Sequence, residues 1–168
     1  LVFFDLGESA DRVALHAGDK AQRKPMPGPL RRQIDPIKAL TRAMGLAGIE
    51  EHGVESDDLL AAEAVRLARA GHDVLIVSSD KDFAQLVRDP VDGRGIALVN
   101  TMSGSRLDST QSVIEKFGVR PDQIINFLPL KGDSIDTRPD VHQLGQQTPA
   151  KWLANHNTPT RWSARAGR

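Results

Sequence analysis

Asp73–Val87, DVLIVSSDKDFAQLV, decides the fold. Val74 to Val77 form a short unbroken apolar run, and polar residues bound it on both sides. A run of this length reads as a buried strand, here Asp73 to Ser78, and Asp82 to Val87 then reads as a short helix. Upstream, Leu59, Leu60, Ala64, Leu67 and Ala68 form one stripe of a helix over Asp57–Ala70, which Gly71 stops. Downstream, Ile96–Asn100 is a second apolar strand. Ser109–Phe117 and Pro121–Leu130 read as helices, each opened by a capping or Pro signal. Before all of these, LVFF at Leu1–Phe4 is a strand that ends on a carboxylate, Asp5. Leu30, Ile34, Ile37, Leu40 and Met44 recur at helical spacing, with Pro36 near the helix start and Gly45 and Gly48 ending the segment. Gln147–Asn155 is expected as a last helix. Strands that are continuous apolar runs and alternate with helices imply an α/β fold, with a mostly parallel sheet covered on both faces.

In such sheets ligands sit outside the carboxyl ends of the strands. The acidic residues gather at those places in the sequence. Asp5 follows the first strand. Glu55, Asp57 and Asp58, in GVESDDLLA, open a helix. Asp80 and Asp82 follow the strongest strand, and Asp133 and Asp136, in KGDSID, follow a predicted helix. A carboxylate at a helix N-terminus is by itself an ordinary cap, worth up to about 1 kcal/mol. Several crowded at one sheet edge repel one another, and a hard divalent cation removes that conflict. Mg²⁺ or Mn²⁺ suits a site of oxygen ligands alone. Two such ions are the usual clamp for displacement at phosphorus.

Composition narrows the alternatives. The 22 basic and 22 acidic residues balance to a net charge of +0, so no global basic field advertises nucleic acid and any such contact must be local. The absence of Cys removes disulfides and thiolate metal sites and fits a reducing cytoplasm. No apolar run approaches a membrane span, and LVFF is too short for a signal peptide. His16, His52, His72, His142 and His156 show no metal-ligand spacing. No GxSxG elbow or Walker loop is present. Gly7 to Pro29, polar and rich in Gly, Pro and basic residues, reads as a long functional loop or mobile segment. The chain opens without Met, directly in a strand, and is expected to be an internal piece of a longer protein.

In order, VFFD, DKAQRKPMP, GVESDDLLA, LIVSSDKDFAQLV, LVNTMSG, EKFGVRPDQIINFLPLKGDSID and LGQQTPAKWL resemble the 5′-nuclease (5′-3′ exonuclease, FEN-like) domain of bacterial DNA polymerases. The likeness covers roughly Leu1 to Leu153. It implies a PIN/FEN-like α/β nuclease core over 1–131 and a degenerate helix-hairpin-helix DNA-binding region over 132–168. It also implies cytoplasmic cleavage of DNA at 5′ ends and flaps in replication and repair. The ligand set for two divalent ions would be Asp5, Glu55, Asp57, Asp58, Asp80, Asp82, Asp133 and Asp136, with Asp5, Asp80, Lys20 and Arg12 in catalysis. Arg12, Lys20 and Arg23 would steer the 5′ strand. Gly145, Thr148 and Lys151 would grip the duplex, with a K⁺ at the hairpin turn. A covalently linked polymerase domain is the implied partner in the parent protein, alongside DNA.

The sequence departs from that family at several points. The family's preceding strand, with a further Asp, and its following helix have no counterpart before Leu1. Asp19 replaces a Tyr, Asp140 and Gln143 replace turn glycines, Gln147 replaces a Lys and Thr137 an Asn. A truncated, catalytically impaired homologue that keeps only the fold and weak metal or DNA binding is therefore the alternative expectation. A HAD-type phosphatase is the remote one, since Gly7 stands where that chemistry needs a second Asp.

Overall fold

The computed structural model describes residues 1–6, 26–131, 149–151 and 153. The chain divides into two compact units, Leu1–Glu63 and Ala64–Arg168.

In the first unit, β1 (Val2–Phe3) pairs in parallel with β2 (Gly48–Ile49). Val2 N–H donates to Ala47 O and Phe4 N–H to Ile49 O, each at 2.9 Å. β2 is absent from the expectations because a strand of two residues, Gly48 and Ile49, carries no readable period. Gly48 fits closely there, since a Cβ at that position would lie 3.3 Å from the Phe4 ring. The single helix expected over Leu30–Met44 is two helices, α1 (Gly28–Arg31) and α2 (Ile34–Ala43). Pro36 falls in the first turn of α2, where its missing N–H has no intrahelical acceptor to lose. The end of α2 is closed by Gly45 at φ +74° and by Leu46 N–H donating back to Thr41 O at 3.1 Å. The stripe Leu30, Ile37, Leu40 and Met44 is exposed, not buried as its periodicity suggests. Instead Lys38 anchors α2, through an ion pair with Glu50 and a position 5.5 Å from the Phe4 ring centroid.

Helix α3 (Ser56–Arg69) begins in the first unit and ends in the second. Gly71 takes φ +87° and His72 N–H returns to Leu67 O at 3.1 Å, so the stop read from the sequence is real.

The second unit is built on β5 (Arg94–Asn100). One edge of β5 pairs in parallel with β3 (Val74–Val77). The antiparallel partners are β4 (Arg88–Val91) and β6 (Ser105–Leu107). The sheet is thus mixed, and "mostly parallel" holds only for the β3–β5 and β1–β2 pairs. The missed strands have a signal: Asp92 at φ +53° and Gly93 at φ +77° form the two-residue turn that an Asp-Gly pair favours between antiparallel strands. Gly95 is obligatory, because a Cβ there would sit 2.7 Å from Arg88 O.

Ile76, Ile96, Leu98 and Leu107 are buried on one sheet face. The expected helix at Asp82–Val87 is a 3₁₀ helix, Lys81–Leu86, which packs against β5 through the buried Phe83 and Ala84. The expected helix at Pro121–Leu130 is a 3₁₀ turn, Pro121–Gln123, leading into α5 (Ile124–Lys131). α4 (Thr110–Phe117) packs on β6, and Phe117 meets Phe127 of α5 edge to face, centroids 6.4 Å apart. The other sheet face is open at Leu75 and Val77, 54% and 57% exposed. Among the described residues β3 lies at the sheet edge. Of the expected last helix, 149–151 and 153 are helical. Leu153 is buried there, and its carbonyl accepts from Gln123 Nε2 at 3.1 Å. The helix-hairpin-helix expectation falls otherwise on residues outside those described.

Asp89 of β4 bridges to the start of α4. Its two carboxylate oxygens accept from Thr110 N–H and Thr110 Oγ1, both at 2.6 Å. The hydroxyl bond, then the amide bond, hold the Asp89 carboxyl below its ordinary range. Its stabilisation is therefore present above the unfolded value, about pH 4, and is lost as pH falls through the lower folded value. Asp89→Asn is expected to lower the thermal midpoint at pH 7, and the gap from wild type should close as pH drops below about 4. Ile124→Ala, at a fully buried position, should cost about 2–5 kcal/mol at any pH, read by denaturant unfolding.

Candidate active site

In the first unit the acidic residues are drawn to the mouth of α3. Ser56, the first helical residue, has an N–H with no intrahelical acceptor. That N–H donates to Asp5 Oδ1 at 2.7 Å, so the carboxylate that ends β1 caps a helix fifty-one residues further on in sequence. Glu55 O accepts from Asp58 N–H at 3.1 Å and from Leu59 N–H at 3.2 Å, which starts the helical ladder. Glu55 is 6% exposed, whereas Asp57 and Asp58 of the first turn are exposed. The positive end of α3 favours all of these anions. Asp5, Glu55, Asp57 and Asp58 therefore share one locality. The cap thus comes from a carboxylate distant in sequence.

In the second unit, Ser78 directly follows β3, and its N–H donates to Val99 O at 3.0 Å. Its hydroxyl accepts from Asp80 N–H at 3.1 Å. Asp80 is the N-cap of the following 3₁₀ helix, and its Oδ1 accepts from Asp82 N–H at 2.9 Å. One oxygen of Asp80 is thus used locally. Both acids stand beyond the carboxyl end of β3, as expected from the sequence. Asn100, at the end of the neighbouring strand, donates through Nδ2 to Ser79 O at 3.3 Å. Ser78 and Asn100 were not singled out for this site from the sequence. The Ser-x-Asp-x-Asp spacing, typical of side chains that bond to nearby backbone, is the signal that could have pointed to Ser78.

Lys151 is described and exposed. Arg12, Lys20, Arg23, Asp133, Asp136, Gly145 and Thr148 lie outside the described residues. Among the described residues, no three His, Asp or Glu side chains are gathered to hold one metal ion. Among them too, no helix is long and apolar enough to cross a membrane.

Residues 1–118 match the family described as the 5′-3′ exonuclease, N-terminal resolvase-like domain. The chain belongs to this family. It is 47% identical over 147 residues to DNA polymerase I of Pseudomonas aeruginosa, covering 88% of this chain and 15% of that protein. It is 33% identical over 158 residues to a 5′-3′ exonuclease of Aquifex aeolicus, covering 94% of this chain and 53% of the relative. The chain thus spans a small part of the polymerases it matches and about half of the shorter exonuclease. In fold it is similar to the bacteriophage T5 flap endonuclease solved with DNA and metal ions, at a TM-score of 0.77 and 18% identity, covering 98% of this chain and 62% of that one. A T5 5′-exonuclease with bound zinc superimposes at a TM-score of 0.75 with 19% identity, over 95% of this chain and 60% of that one. These neighbours establish the α/β architecture of the family for this chain.

Asp5→Ala should remove the α3 cap, cost about 1 kcal/mol in unfolding free energy and speed hydrogen exchange at Ser56 N–H. Asp5→Asn retains an acceptor oxygen and should leave that exchange near wild type. Equal exchange in both variants would show that the side chain of Asp5 does not cap the helix.

Proposed function

We propose that this chain is the nuclease domain of a divalent-metal-dependent 5′-3′ exonuclease and 5′-flap endonuclease, hydrolysing DNA phosphodiesters in replication and repair. The observation that carries this is the tie between Asp5 and the acidic mouth of α3, in a chain of the 5′-3′ exonuclease family. Folding alone needs one cap at that helix. The further carboxylates at that helix start are not gathered around one point among the described residues, so a cation there would be held partly through its own waters.

The donor chemistry fits Mg²⁺ or Mn²⁺. Every candidate ligand is a carboxylate, and the chain has no thiol to favour a softer metal. Mg²⁺ keeps several waters, so carboxylates need not all converge on it directly. Asp5, Glu55, Asp57, Asp58, Asp80 and Asp82 would hold two ions, with Asp133 and Asp136 completing the set. Ions so held supply activation of a water nucleophile and stabilisation of the leaving oxygen. Asp80 enters with its orientation fixed by the bond to Asp82 N–H. Arg12, Lys20 and Arg23 would neutralise phosphates of the 5′ strand without reading sequence. In the division proposed, 1–131 form the nuclease core. Residues 132–168 grip the duplex through Gly145, Thr148 and Lys151, with a K⁺ at the turn. Relatives that are DNA polymerase I, and the T5 flap endonuclease solved with DNA, support DNA as the substrate and a linked polymerase domain in the parent protein.

The test is cleavage of a 5′-flap duplex in Mg²⁺ or Mn²⁺, run on this chain and on a version extended upstream of Leu1. Chelator should abolish cleavage. Asp80→Ala should slow the single-turnover rate by more than about a hundredfold, beyond the usual cost of disturbing an outer-shell group. Cleavage at the wild-type rate by Asp80→Ala would remove Asp80 from the mechanism.

A further inference from the structure

The stretch LVNTMSG, Leu98–Gly104, has no part in the chemistry assigned above, yet its Asn100 is bonded at both ends of its amide. Nδ2 donates to Ser79 O at 3.3 Å. Oδ1 accepts from Met102 N–H at 2.9 Å and from Ser103 N–H at 3.1 Å. The first bond reaches the segment that carries Asp80. The other two shape the turn that follows β5. That turn has little packing to hold it, since Met102 is 87% exposed. On the far side of Asp80 the chain is anchored by the buried Phe83 and Ala84. On the near side, among the described residues, polar bonds hold it: Ser78 N–H to Val99 O, Asp80 N–H to Ser78 Oγ, and the strut from Asn100.

We infer that Asn100 is a positioning residue for Asp80: its side-chain amide braces the Ser78–Asp82 segment against the Thr101–Gly104 turn, so that the Asp80 carboxylate meets a divalent ion in one orientation. An amide is the group this needs. A carboxylate has no donor for Ser79 O, and a hydroxyl is too short to serve both sides. The inference rests on Asp80 being a metal ligand. The contrasting role is purely local, with Asn100 shaping its own turn through Oδ1 and having no effect on Asp80.

Asn100→Asp separates the two roles, because it keeps the acceptor for Met102 and Ser103 and loses the donor to Ser79. Amide hydrogen exchange, followed residue by residue, is the first readout. Exchange at Asp80 and Asp82 should speed up in Asn100→Asp, while Met102, Ser103 and the core amides of β5 stay as in wild type. Asn100→Ala should speed exchange on both sides. Mn²⁺ affinity, measured by calorimetry without DNA, should fall about 10–100-fold in Asn100→Ala, the range for residues that orient a ligand. Unchanged exchange at Asp80 and Asp82, an increase spread evenly over the sheet, or wild-type Mn²⁺ affinity in Asn100→Ala would each overturn the inference. Should the wild-type protein bind no Mn²⁺, the metal assignment fails, and the exchange data still decide whether Asn100 holds Asp80 in place.

Discussion

β5 is the member of the second unit on which the other strands depend. It bonds β3 along one edge and β4 and β6 along the other, and it alone joins all three. A strand in that position must satisfy its backbone groups on both sides and still offer side chains to a core. Ile96 and Leu98 meet the second demand, both buried. Gly95 meets the first, by letting β4 approach where any Cβ would collide with Arg88 O. The place where β5 stops fixes where its neighbours stop. Ser78 leaves β3 bonded to Val99, and the acids beyond it inherit their position from that register.

The first unit solves a related problem with less material. Its sheet has two strands of two residues among those described, which is too little hydrogen bonding to hold an active-site strand by itself. The bond from Ser56 N–H to Asp5 adds a charge-assisted tie between the end of β1 and a long helix. Lys38 adds another, between α2 and the segment after β2. Charged groups thus substitute for a core that α2 does not build, since its apolar stripe faces solvent.

What was legible in the sequence follows from which physical signals are local. The helix over α3, with its stop at Gly71, is written in period and φ preference, and both are properties of neighbouring residues. The end of β3 and the acids after it were legible for the same reason. β4 was obscured by Pro90, which argues against a strand unless the strand lies at an edge. β2 was too short to show any alternation. Asp5 as the cap of α3 was not legible at all, because the donor and acceptor lie far apart in the chain. The exposed faces of α2 and β3 mark the limit of periodicity as evidence: it says which side is apolar, and it does not say what covers it.

Among the described residues β3 stands at the edge of its sheet, and this bears on handling the protein. Between Asp73 and Asp80 there is no charge and no proline, only VLIV and two serines. Natural edge strands usually carry such residues as gatekeepers against joining a foreign strand. Here Asp73 and Asp80 flank the apolar run but none stands within it, and the zero net charge offers little long-range repulsion between copies. Dilution, and a pH away from neutrality, are therefore expected to favour dispersed copies.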